Sequence, residues 1–199
     1  MSQPTISPTG YWDGRDAHLY HGYSRALVYW ISGYFENEKN KRIHDFGCGT
    51  GQYMRELAQL GFTDLVGYEG SRPLESVFEP IVELDLTQRF EVGWPGNVLC
   101  LEVMEHIPAE HQAMVLDNIA RACDGSLVMS WATPGQTGHG HVNERTMKEA
   151  VELVVDNGFI FRQWATELAR SVIPDECDIA GAKLPWFKNT LLVFSRSKP

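Results

Sequence analysis

Asp45-Phe46-Gly47-Cys48-Gly49-Thr50-Gly51 is the stretch on which the fold turns. Ile43-His44-Asp45-Phe46 reads as a short strand ended by glycines, and 52–60 follow as a helix ended by Gly61, where a C-terminal glycine cap belongs. A glycine-rich bend between strand and helix permits a tight turn and lets a ligand lie close to the backbone. Alone, that shape also fits a dinucleotide or phosphate binder. Two details argue against both. The glycines are spaced GxGxG rather than GxGxxG, and no Lys-Ser or Lys-Thr follows them. Asp45 also stands ahead of the first glycine, where a carboxylate repels a pyrophosphate but suits the ammonium of an amino-acid ligand.

On either side of this stretch, helix and strand patterns alternate. Residues 16–35 carry Leu19, Tyr23, Leu27, Trp30 and Tyr34 at three-to-four spacing, which predicts a helix. Strands are expected at 65–69, 81–85, 98–102, 127–131, 159–164 and 191–194. Helices are expected at 110–123, with Met114, Ile119 and Cys123 on one face, and at 146–157. The second of these opens with a capping-box pattern at Thr146 and Glu149. Strands separated by helices imply right-handed βαβ units, a mostly parallel sheet and helices on both faces. In such a sheet the ligand crevice lies beyond the carboxyl ends of the strands.

The acidic residues fall at those ends. Glu69 closes the second strand about 24 residues after Asp45, where an acid accepts both hydroxyls of a ribose. Asp85 closes the third; its carboxylate suits an adenine amino group, and the Leu86 amide suits a ring nitrogen. Glu102 closes the fourth. Ammonium, ribose and adenine together, without phosphate, describe S-adenosylmethionine.

With these residues in view, the chain resembles the class I S-adenosylmethionine-dependent methyltransferases, of the type that acts on small molecules. Residues 45–51 resemble the first motif of that family, Glu69 and Asp85 the second and third, and Leu101-Glu102-Val103-Met104-Glu105-His106-Ile107-Pro108 the fourth. The resemblance runs from about Tyr11 to the end. It implies a Rossmann-like sheet of seven strands, the last antiparallel and supplied by 191–194. It implies S-adenosyl-L-methionine as cofactor, held by Asp45, Gly47, Cys48, Gly49, Gly51, Glu69, Gly70, Asp85, Leu86, Glu102 and Val103. It places His106 near the transferred methyl.

Histidines titrate near neutral pH and are the candidate bases. His106 and His141 are the catalytic candidates, with His139 beside His141 in a Gly-rich loop on the acceptor side. Asn143 either orients an acceptor or stabilises a turn. His18 and His21 lie on the first predicted helix, which often lids the cofactor in the family. Trp131, Trp164, Trp186 and Phe187 line an acceptor pocket or belong to the core. Residues 171–189 read as a long connection, and long connections in compact domains are usually functional.

No resident metal is expected. A rival reading gathers Glu102, Glu105, His106 and His141 around a divalent ion, an arrangement similar to that of small-RNA 2′-O-methyltransferases. A second rival is a binding module that keeps the cofactor site without catalysis. The formal net charge of -9 argues against a nucleic-acid substrate and against an anionic membrane surface. The partner expected is a small-molecule acceptor, methylated at oxygen or nitrogen.

With 43% hydrophobic and 22% charged residues the chain reads as globular. Residues 1–10 are expected to be disordered or loosely attached, and 11–199 to form one domain. The four cysteines form no CxxC pair, and neither a signal peptide nor a membrane span is legible. A reduced, cytoplasmic setting is the expectation.

Overall fold

The computed structural model describes residues 4–13, 23–71, 75–173 and 186–197. Strands β3 (Ile43–Phe46), β4 (Leu65–Glu69), β5 (Ile81–Glu83), β6 (Gly96–Cys100), β7 (Cys123–Ser130), β8 (Phe159–Phe161) and β9 (Leu191–Arg196) form one sheet in the order β5-β4-β3-β6-β7-β9-β8. The pairs from β5 to β7 are parallel. β9 runs antiparallel to both β7 and β8, so the last strand alone is reversed, as expected. The strand order reverses between β3 and β6, which opens a crevice at their carboxyl ends.

Period-two alternation divides the core into two layers. Leu127, Met129, Leu192 and Phe194 face helices α3 (Gln112–Ala122) and α4 (Met147–Asp156). Val128, Leu191 and Val193 face α1 (Arg25–Tyr34), α2 (Gln52–Gln59), α5 (Gln163–Val172) and α6 (Phe187–Thr190). Complete burial of these β7 and β9 side chains explains why both strands read as continuous apolar runs. Thr146 and Glu149 close the expected capping box on α4.

Several boundaries differ from the expectations. The first helix begins at Arg25, capped by the Ser24 hydroxyl; residues 16–22, with His18 and His21, lie outside the described residues. β5 and β6 end before Asp85 and Glu102, which sit on the loops just beyond. On α3, Met114 is exposed and Cys123 already belongs to β7; Val115, Leu116 and Ile119 supply the buried face.

The largest difference is α5, which replaces the end of one expected strand and the start of the long connection. This helix buries its small residues, Ala165, Thr166 and Ala169, and exposes Trp164, Leu168 and Val172. Its large apolar side chains therefore mark the solvent face, and hydrophobic periodicity misreads it.

At the other end, residues expected to be loose form a hairpin of β1 (Thr5–Ile6) and β2 (Trp12–Asp13). Its tip is tied by Ser7 N–H to Tyr11 O (2.9 Å), Gly10 N–H to Ser7 O (3.1 Å) and Tyr11 N–H to Ser7 Oγ (3.1 Å).

Candidate active site

A cavity of about 360 Å³ opens at the carboxyl ends of the central strands. Asp45, Gly47, Cys48, Gly49, Glu69, Gly70, Asp85, Leu86, Glu102 and Val103 all line it, together with His106, His139 and His141. Among the residues singled out in the cofactor motifs, Gly51 is not on the wall. It caps α2 at φ +81°, where a Cβ would press on Phe78.

The bend after β3 is held by backbone. The amides of Gly47 and Cys48 both donate to the Tyr68 carbonyl (2.8 and 3.0 Å), locking the bend to β4. Gly47 has φ +74°, and a Cβ there would lie 2.3 Å from Val103, so only glycine suits both the turn and the contact. Glu69 reaches back across the bend, accepting from the Gly49 amide on Oε2 (2.8 Å) and the Gly70 amide on Oε1 (2.9 Å). Burial raises its pKa while those two amides lower it. Asp45 is buried, and its Oδ2 has no hydrogen-bond partner. Burial, then the charge of Glu69, pushes Asp45 up to about 8.

On the far side, Asp85 Oδ1 accepts from the Thr87 amide (2.9 Å) and hydroxyl (2.7 Å), which folds the loop after β5. Buried Asn118 of α3 pins that loop by donating to the carbonyls of Leu86 and Gln88, each at 2.8 Å. Sequence reasoning missed Asn118, because a polar residue within an amphipathic helix gives no sign of the loop it meets.

His106 and His141 are 35 residues apart yet their rings meet edge to face, with centroids 5.0 Å apart. The backbone arranges this: the amides of Val142 and Asn143 both donate to the Glu105 carbonyl (2.9 and 3.0 Å). Glu144 then orients His141. Its carboxylate accepts from the Gly135 amide (2.8 Å), the Thr137 amide (2.9 Å) and His141 Nδ1 (3.1 Å). Desolvation is the largest single influence and raises its pKa, but those three donors together outweigh it and hold it below the usual carboxylate value. A proton on Nδ1 leaves Nε2 as the acceptor atom of the ring. Asn143 is structural: its Nδ2 donates to Met104 O and Gln112 Oε1, and its carbonyl accepts from Trp131 Nε1. Trp131 and Phe187 are core, and Trp164 is on the outer face of α5; of the four aromatics, Trp186 alone lines the cavity. Tyr11, Trp12 and Tyr53 also line it and went unnoticed in the sequence.

A family model described as a methyltransferase domain matches residues 15–170. The chain belongs to the methyltransferase domain family. By fold and family it is a class I S-adenosylmethionine-dependent methyltransferase. Similar solved structures include magnesium protoporphyrin IX methyltransferase of Synechocystis with bound S-adenosylmethionine, 18% identical over 92% of this chain and 89% of that one, with TM-score 0.61. The 1,6-didemethyltoxoflavin-N1-methyltransferase of Burkholderia thailandensis, with bound S-adenosylhomocysteine, is 14% identical over 92% and 80%, with TM-score 0.62. A sugar N-methyltransferase of a Streptoalloteichus species is 16% identical over the whole of both chains, with TM-score 0.61. No curated sequence matches significantly. At these identities the structures establish the fold. Among the described residues, no helix is long and apolar enough to cross a membrane.

In this methyltransferase two side-chain-bearing residues on the cavity wall take left-handed backbone, Glu102 after β6 and Thr137 in the loop after β7. Glu102 has φ +55°, sparsely populated for a side-chain-bearing residue and characteristic of functional sites. Ser130 holds it there, accepting from the Glu102 amide and donating to its Oε1, both at 2.7 Å. Burial pushes Glu102 up to about 7, with the Ser130 bond opposing. Glu105 is fully buried, and burial together with the Glu102 charge holds its pKa well above the carboxylate range.

Proposed function

We propose that this methyltransferase transfers the S-adenosylmethionine methyl group to an oxygen or nitrogen of a small molecule, with His106 and His141 at the acceptor. The observation that carries this reading is the shared cavity: the strand-end acids line one part, and the two edge-to-face histidines line another. The residues suit the cofactor. Asp45 Oδ2 is a buried acceptor without a protein partner and matches an ammonium. Glu69 is fixed by two amides with lone pairs left for ribose hydroxyls, and the Asp85–Leu86 turn serves the adenine edge.

The cofactor supplies an activated methyl on sulfur. The protein's share is alignment of the acceptor, which can contribute roughly 7–11 kcal/mol, and removal of a proton where the acceptor carries one. His141 Nε2 takes that proton, with Glu144 holding the ring and stabilising the imidazolium that forms. His106 shapes the wall beside it.

Calorimetry with S-adenosylhomocysteine tests the cofactor half. Glu69→Ala and Asp85→Ala are each expected to weaken binding, Glu69→Ala by about 100-fold because two charge-assisted hydrogen bonds are lost. Unchanged affinity in both variants defeats the assignment.

A metal-assisted version of the same transfer is favoured by one observation: ligand atoms of Glu105, His106 and His141 lie within 4.8 Å of one another. A divalent ion there would activate a hydroxyl acceptor. Calorimetry with manganese, and loss of transfer on adding a chelator, distinguish it. Its RNA form is disfavoured, since no Lys or Arg among the described residues lines the cavity.

A further inference from the structure

The hairpin β1–β2 lies outside the family-matched segment 15–170, yet Thr9, Gly10, Tyr11 and Trp12 form part of the cavity wall. Its strands are two residues each. Such a hairpin has little stability of its own and depends on what it docks against.

It docks on both halves of the site. Pro4 O lies 2.8 Å from His139 Nε2. Gly10 sits so close to the His106 carbonyl that a Cβ would be 2.2 Å from the oxygen. Tyr11 covers Gly70, leaving no room there for a side chain. Between these anchors, the Trp12 ring stands edge to face with His106 (centroids 5.2 Å, 83°) and tilted against His139 (5.9 Å, 60°). The indole is thus built into the wall against His106, whose ring in turn meets His141.

The charges on the wall limit what can lie there. Asp45, Glu69, Asp85 and Glu102 line the cavity, and no Lys or Arg among the described residues does. An acceptor carrying phosphate or carboxylate would find no Lys or Arg to pair with among the described residues of the wall. The Trp12 indole lies against the His106 and His139 imidazoles, and the cavity lining also includes Trp186, His141 and the neutral polar groups Gln136 and Thr137. Aromatic walls of this kind favour a flat π system, stacked or edge-on.

We propose that the N-terminal hairpin builds the acceptor subsite, with Trp12 as its specificity-determining residue, and that the acceptor is a flat conjugated ring without negative charge, presenting a hydroxyl or amine to His141. This rests on the transfer reading above and names its substrate class. The transfer itself balances simply: the acceptor O or N forms the new bond to carbon, the sulfur–carbon bond breaks with its electrons to sulfur, and the acceptor proton goes to His141 Nε2.

The full chain, saturated with S-adenosylhomocysteine, is titrated with naphthol, hydroxynaphthoate and methyl glucoside. Naphthol is expected to bind best, and Trp12→Ala to weaken it by about tenfold, the value of a good aromatic contact. Trp12→Phe should recover most of the loss. Binding of hydroxynaphthoate or methyl glucoside as tightly as naphthol, no naphthol binding at all, or equal naphthol binding in Trp12→Ala overturns the proposal. S-adenosylhomocysteine affinity is read first in the unaltered chain. Its absence there would instead count against the cofactor assignment.

Discussion

The two halves of the cavity are built in opposite ways. The half assigned to the cofactor comes from consecutive strand ends, where Glu69 is fixed by the Gly49 and Gly70 amides and Asp85 by the Thr87 amide and hydroxyl. The half assigned to the acceptor is assembled from distant segments: residues 9–12, His106, and the loop 136–141. The first half is a property of the βαβ chain path. The second is a property of docking, and it changes when any docking contact changes.

That contrast can be broken or sharpened experimentally. The largest effect is expected from His141→Ala, assayed by methyl transfer to naphthol. Loss of a general base should cost about 100-fold or more in turnover, with S-adenosylhomocysteine affinity nearly unchanged. A parallel loss of affinity would show that the halves are not separable.

Next in size is a pH effect on the cofactor half. Asp45 sits at about 8 in the folded protein against an ordinary 3.8. The folded state therefore holds a proton that the unfolded chain releases across this window. Asp45 stabilises the ligand-free fold at low pH, and that contribution is lost as pH rises through 8. An ammonium ligand needs the carboxylate, so cofactor affinity should climb with pH, by up to about tenfold per unit below 8. Calorimetry in buffers of differing ionisation enthalpy should count nearly one proton released near pH 6.5. No release would remove Asp45 from the ammonium.

Asn118→Ala should have a smaller effect, about 1–3 kcal/mol of stability, because it strands the carbonyls of Leu86 and Gln88. Urea unfolding measures it, and a several-fold loss of cofactor affinity should accompany it through the Asp85–Leu86 turn. The smallest expected change is from Glu144→Gln. An amide has one acceptor oxygen where three donors now converge. Transfer to naphthol should fall a few-fold without change in cofactor affinity; restored transfer with Glu144→Asp would identify the carboxylate as the orienting group.

By itself, the sequence determined the parallel sheet, the glycine bend and the acid series, because each is written in the local alternation of strand, turn and helix; the reversed last strand followed from the family resemblance. Asp45, Glu69 and Asp85 were legible for that reason, and His106 because it adjoins Glu102 in the same loop. Three things were decided only in the tertiary structure. The helix 163–172 was hidden because it buries alanines and exposes Trp164, Leu168 and Val172, inverting the usual signal. The hairpin was hidden because its order comes from docking on His106, His139 and Gly70 rather than from its own residues. The pairing of His106 with His141 was hidden because two backbone amides and the Glu105 carbonyl create it. No side-chain pattern records a hydrogen bond between main chains 37 and 38 residues apart.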